Sequence, residues 1–375
     1  MTKNKQKSKY FSASVVYFIL IVGFILIRLA SFYDLLDFAG DYGTYLLNLI
    51  LQVGLMFLMP LFLYSYFIKS KPKETLSNFG FKKIKPSAIA IAIIIGIIVY
   101  VLNIGVSSFF SFILALLGYE KLPTTSTATE YTVLLLIINL IFTGVLPAIC
   151  EEITHRGMLI DGFSKLGYKK AIIFSALLFG LTHLNVDQFF YATIIGLFLG
   201  FLTMITGNII PAMIIHFMNN AINVLVSYAL ATNSSFAQVY NSIFDSITTN
   251  NFFVVVSVLF FVISTLIALI LFLVYKLFKE TAIAEINHLA EQETKKQLRA
   301  QLMGEYPQVL KPNFTDIPMK VIKGNKAFHV YVSPKSLRHP IKQIYFPALK
   351  EKAFFYSSML TGIFITIATY IWGII

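Results

Sequence analysis

The sequence predicts an all-α fold, a polytopic bundle of membrane-spanning helices, and three observations carry that prediction. Of 375 residues, 57% are hydrophobic and only 13% charged, against roughly a quarter charged in soluble domains. Mean hydropathy is +0.76, more apolar surface than a water-soluble chain of this length can hide, so a soluble enzyme and a disordered or fibrous chain are excluded. The apolar residues also run continuously rather than alternating with polar ones. That excludes a membrane β-barrel and leaves helices, which satisfy their own backbone in lipid.

Crossing about 30 Å of hydrocarbon takes ~17–25 residues. Stretches that meet or approach this lie at 11–30, 43–68, 87–117, 131–150, 171–186, 189–206, 209–231, 252–276 and 354–375. The fifth is short and ends in polar residues. The third is long enough to tilt, or to break near Asn103-Ile104-Gly105. Lys3, Lys5, Lys7 and Lys9 precede the first stretch as in a signal peptide, but no small-x-small cleavage site follows closely. An uncleaved anchor is the expectation.

Charge adds sidedness. The formal charge is +12, and 28 of the 30 lysines and arginines fall within 1–10, 69–86, 156–170 and 276–353. The intervening loops hold Asp34, Asp37, Asp41, Glu120, Glu130, Asp187 and Asp245. The positive-inside rule then places the N-terminus in the cytoplasm and the C-terminus outside, in a cell membrane. It accounts for the basic charge with the lipid bilayer as partner and no nucleic acid.

The chain divides accordingly. Residues 1–276 form a transmembrane core of about eight spans. Residues 277–353 form a cytoplasmic α+β insert, and 354–375 a C-terminal span. Within the insert, 277–303 shows loosely helical spacing of apolar residues. Pro307, Pro312 and Pro318 then break helices, and 320–332 resembles two short strands around Gly324-Asn325. His288, His329 and His339 read as solvated. Cys150, the single cysteine, excludes an internal disulfide and a multi-cysteine metal cluster and reads as a small buried residue.

Charge inside a span is costly, at least ~2.5–3.5 kcal/mol at the centre, so polar groups at membrane depth are functional candidates. They are few: Glu151, Glu152, His155, Arg156, His183, His216, Asn219 and Asn220. Glu152 and Arg156 share a helical face, as do Glu151 and His155, so one acid can pair with the arginine while its neighbour points about 100° away. Phe179 lies one turn from His183, and His216 shares a face with Asn220. Each element is weak alone; together, on three consecutive helical regions in an apolar core, they call for one explanation. Hydrolysis fits: a carboxylate acts as base on a water, a histidine holds that water or passes a proton, and His and Asn donors meet an oxyanion. Ser164 and Thr182 show no triad pattern. Intramembrane Glu and His also make proton relays in transporters, but no internal repeat is evident. A non-catalytic scaffold acting through the insert is the third reading.

Glu151-Glu152-x-x-x-Arg156-Gly157, then Phe179-x-x-x-His183, then His216-x-x-x-Asn220 resemble the three motifs of the CPBP intramembrane protease family, the CAAX proteases and bacteriocin-processing or immunity proteins. Gly196 to Gly200, then Thr206-Gly207-Asn208-Ile-Ile-Pro211, is similar to the family's linker. The resemblance covers about 130–230. It implies an endopeptidase near the cytoplasmic boundary, with Glu151 activating the water beside His183, His216 and Asn220 on the oxyanion side, and Glu152 with Arg156 in support. The implied substrate is a CAAX-like tail, a peptide pheromone or a bacteriocin precursor. The family is labelled metalloprotease, yet a metal-free glutamate mechanism is also argued for it. Zinc on His183, His216 and Glu151 would keep an open position for water, although no HExxH helix is present. His155 departs from the family, which usually has an aromatic or aliphatic residue before the arginine. The Gly196–Gly200 pair reads as close helix packing.

Overall fold

In the computed structural model the described residues are 8–33, 43–120, 131–249, 262–278, 280–281, 317–323, 326–332 and 349–372. Seven helices among them are long and apolar enough to cross a membrane.

Helix α1 (Lys9–Phe32) starts where the Ser8 hydroxyl accepts the Phe11 N–H, 3.1 Å away. Helix α2 (43–68) ends at Lys69, which adopts a left-handed conformation with φ 56°. Short α3 (Pro72–Asn78) leads to α4 (Pro86–Leu116); both take proline in the first turn, where a missing N–H costs nothing. Helix α5 (Val133–Leu166) starts at Thr132, whose side chain accepts the Leu135 N–H. Helix α6 (Tyr168–Thr182) ends at His183, followed by Leu184 at φ 49°. That turn costs ~1–2 kcal/mol for a residue with a Cβ. Asn185 then caps α7 (Val186–Thr206), and Gly207 at φ 60° ends it. The rest are α8 (Ile210–Thr232), α9 (Ser234–Thr249), α10 (Val262–Phe278), strands β1 (Ile317–Lys323) and β2 (Lys326–Val332), and α11 (Leu349–Trp372).

Helix α5 is the centre of the bundle. It packs against α1, α2, α6, α7 and α8, while α4 lies on α7 and α8, and α11 on α1 and α6. Two cores result. One joins Tyr17, Met56, Tyr64, Met158, Phe163 and Phe355; the other joins Ile95, Leu199, Leu202, Ile215 and Leu273. The Gly196–Gly200 pair packs closely, as expected: a Cβ at Gly196 would stand 3.1 Å from Ala176 Cα, and one at Gly200 3.2 Å from Ile172 Cγ2.

Several boundaries differ from the sequence expectation. The fourth span does not end near 150 but runs to Leu166, so the Glu151–Arg156 segment lies in mid-helix rather than at a cytoplasmic end. Arg156 is therefore a buried residue and no marker of sidedness. Hydropathy ends the span too early because four ionisable side chains interrupt it. The third span is one unbroken α-helix, 31 residues long. At 1.5 Å per residue that is about 46 Å, which requires tilt. The fifth stretch is a helix of 15 residues, and 232–250, expected as a loop, contains α9. Part of the eighth stretch, all but a few residues of the 277–303 helical reading, and His288 and His339 lie outside the described residues. The two strands pair antiparallel, Lys320 with His329 and Lys323 with Lys326.

Candidate active site

Three segments of wide-turn (π) helix occur in α2 and α5: Ile50–Leu58, Leu140–Val145 and Ile153–Leu159. Such segments are rare and concentrate at functional sites. Two prolines help explain what they do here. Pro60 has no N–H for the carbonyl four residues back, and that carbonyl, Met56, accepts the Thr154 hydroxyl at 2.5 Å. Pro147 likewise spares the Thr143 carbonyl, which accepts Asn220 Nδ2 at 3.1 Å. Backbone acceptors that a regular helix would consume instead join α2 to α5 and α5 to α8.

On this frame Glu152, with no exposed side chain, places Oε1 against two donors: Arg156 Nη1 at 2.9 Å and His216 Nδ1 at 2.8 Å. The expected Glu152–Arg156 pair is thus present, and His216 joins it. The guanidinium also lies over the Phe179 ring, 4.4 Å from its centroid. A carboxylate can only accept, so His216 donates through Nδ1 and, when neutral, carries its lone pair on Nε2. That Nε2 faces Glu151 Oε2 across 4.0 Å.

The other oxygen of Glu151, Oε1, accepts from Gln52 Nε2 on α2 at 2.8 Å. His155 does not meet the Glu151 carboxylate, although the two share a face. Its Nδ1 donates to the Glu151 backbone carbonyl at 2.8 Å, and its Nε2 lies 3.3 Å from Thr182 Oγ1. Tyr17 of α1 completes this buried group, with its hydroxyl 2.6 Å from the Leu178 carbonyl and 2.5 Å from Thr182 Oγ1.

His183 closes α6 with its Nδ1 donating to the Phe179 carbonyl at 3.0 Å, which leaves Nε2 as its outward nitrogen. The Phe179 ring packs edge-on against His155, His183 and His216, with centroids 5.0, 5.1 and 5.8 Å apart. Asn220 sits one turn beyond His216 on α8. Its Oδ1 accepts from Asn219 Nδ2, and Asn219 Oδ1 accepts from Asn103 Nδ2 of α4. Glu152, Arg156 and His216 are therefore joined by direct contacts, and Glu151 faces His216 across 4.0 Å. His183 enters through the Phe179 ring, and Asn220 sits on the adjacent turn of α8. Gln52 and Tyr17 were missed because an amide or a phenol in an apolar span is a weak signal beside a charge.

The metal option can be tested on these donors. Among the described residues no three His, Cys, Asp or Glu side chains form a group able to hold a metal ion. Glu152 takes His216 Nδ1 and the Phe179 carbonyl takes His183 Nδ1, so each imidazole keeps its Nε2 lone pair.

Fold and site together define a polytopic helical membrane protein with a carboxylate–histidine centre inside its bundle. Residues 133–222 match the family model described as type II CAAX prenyl endopeptidase Rce1-like. This stretch contains every charged or imidazole group of the centre, and the match is similar in kind to the family whose motif order the sequence resembles. No curated protein and no solved structure matches the chain.

Proposed function

We propose that the protein is an intramembrane endopeptidase that cleaves a CAAX-like membrane-anchored peptide near the cytoplasmic boundary, with Glu151 as the base that activates water. The observation that carries this reading is the 4.0 Å separation of Glu151 Oε2 and His216 Nε2. Both are acceptors when His216 is neutral, so the space between them calls for a donor. A water donating to both oxygen and nitrogen is the natural occupant.

Glu151 Oε2 takes a proton from that water as its oxygen attacks the scissile carbonyl. His183, through Nε2, orients the water from the α6 side. The carbonyl becomes an oxyanion, which Asn220 Nδ2–H stabilises together with His216, whose Nε2 takes the second proton of the water and returns it to the departing products. Glu152 supports the imidazolium form of His216 through the Nδ1–H bond, and Arg156 holds Glu152 in place. Asn220 Nδ2 turns from the Thr143 carbonyl to the substrate oxygen. The C–N bond then breaks, and the proton on Glu151 passes to the leaving amine, which regenerates the carboxylate. The match at 133–222 supports the CAAX-type substrate.

The test is cleavage of a fluorogenic prenylated CAAX peptide by purified protein in micelles. His216→Ala and Asn220→Ala should each lower kcat, Asn220→Ala by ~10²–10³, the usual worth of one oxyanion donor. Full activity in both would remove the oxyanion assignment.

A further inference from the structure

We infer that Gln52 is a positioning residue of the active site, holding Glu151 so that only its Oε2 serves as the base. This rests on the hydrolytic reading above, but Gln52 lies on α2, outside the 133–222 region that matches the family. It is a buried amide, 9% exposed, in the middle of an apolar helix, and its Nε2 donates to Glu151 Oε1 at 2.8 Å. Its own Oε1 is buried and has no hydrogen-bond partner. A buried acceptor left unsatisfied is expensive, so this amide is a poor device for holding the fold together. What it does achieve is specific to Glu151.

The two carboxylate oxygens are made unequal. Oε1 is committed to the amide, and Oε2 is left facing His216 Nε2 across 4.0 Å. During turnover the proton from water arrives on Oε2. Oε1 becomes the carbonyl oxygen of the acid and keeps accepting from Gln52, so no rearrangement is needed. When the proton leaves for the amine, the same bond receives the carboxylate again. The wide-turn segment Ile50–Leu58 carries Gln52, and the neighbouring Met56–Thr154 bond fixes α2 against α5 at this level.

The experiment compares Gln52→Met, which keeps the length and loses the donor, with Gln52→Asn, which keeps the amide and shortens its reach. Wild type and Glu151→Gln serve as controls with the prenylated CAAX peptide. Thermal midpoints are read by a thiol-reactive dye on buried Cys150. Both variants should lower kcat about 10²-fold, the scale of a misplaced reacting group. KM should stay within about twofold, and the midpoint of Gln52→Met should equal or exceed that of wild type. Unchanged kcat, a raised KM with kcat intact, or a kcat loss that merely follows a lowered midpoint would each overturn the assignment. A Glu151→Gln protein as active as wild type would instead overturn the hydrolytic reading itself.

Discussion

Replacing Arg156 with methionine removes a guanidinium that the structure buries almost completely, at 1% exposure. Glu152 Oε1 then keeps only His216, and a carboxylate stays buried without its countercharge. Breaking such a pair from one side costs ~3–5 kcal/mol. The contact over Phe179 is lost as well, and a desolvated cation–π contact contributes up to ~2 kcal/mol. At ~2 °C per kcal/mol for a large chain, the midpoint should fall by roughly 6–14 °C. The buried Cys150 thiol in α5 supplies the readout, since a thiol dye reaches it only on unfolding. The double variant Glu152→Gln with Arg156→Met should recover at least half of the loss. Both charges are then gone, while the amide oxygen still accepts from His216. Arg156 Nε and Nη2 and Glu152 Oε2 have no hydrogen-bond partners, so this pair is incompletely satisfied even in the intact protein. An unchanged midpoint in Arg156→Met, or a double variant as unstable as the sum of its parts, would refute the reasoning.

Other expectations follow from separate parts of the bundle. At Gly180 a Cβ would collide with the Thr193 hydroxyl and stand 2.8 Å from the rigid Phe189 carbonyl; Gly180→Ala should cost ~1–3 kcal/mol. Gly105→Ala meets open space and should leave the same dye-monitored midpoint unchanged or slightly raised. Beyond α4, Tyr119 donates to Asp187 Oδ2 at 3.0 Å, and burial, with that bond and charge, pushes its hydroxyl up to about 12. The folded chain keeps this proton when the unfolded chain has lost it, so the contribution is complete below pH 10 and disappears as pH rises to 12. Tyr119→Phe should therefore flatten part of the fall in midpoint across that window; identical alkaline profiles would contradict it. For orientation, cysteines placed between 234 and 249 in a Cys150→Ser background should label from outside intact cells, and cysteines at 320–330 should not. The reverse pattern would invert the topology.

The fold class and the cluster of polar residues at 151–220 were legible in the sequence, because charge at membrane depth is rare enough to stand out, whereas nine apolar stretches correspond to seven described helices long and apolar enough to cross a membrane. The limits of the fourth span were not legible. The very residues that mark the site, Glu151 to Arg156, lower hydropathy and simulate a helix end, although they point into protein rather than lipid. The Glu152–Arg156 pair followed from helical spacing. That His216 would reach Glu152 across 64 residues, or that His155 would turn to a backbone carbonyl, did not, because spacing describes one helix and not its neighbours. The paired strands 317–323 and 326–332 were visible as two short strands expected within 320–332. Gln52 and Tyr17 acquire meaning only from what α1 and α2 pack against.

The most direct test of the central claim is the rate at which Glu151→Gln protein, purified and folded as judged by its Cys150 dye midpoint, cleaves the prenylated CAAX peptide. The substitution preserves shape and hydrogen-bonding capacity but removes the base. The account predicts no detectable cleavage, with peptide binding retained and with wild-type activity surviving exhaustive chelation. Cleavage by Glu151→Gln at the wild-type rate would contradict it.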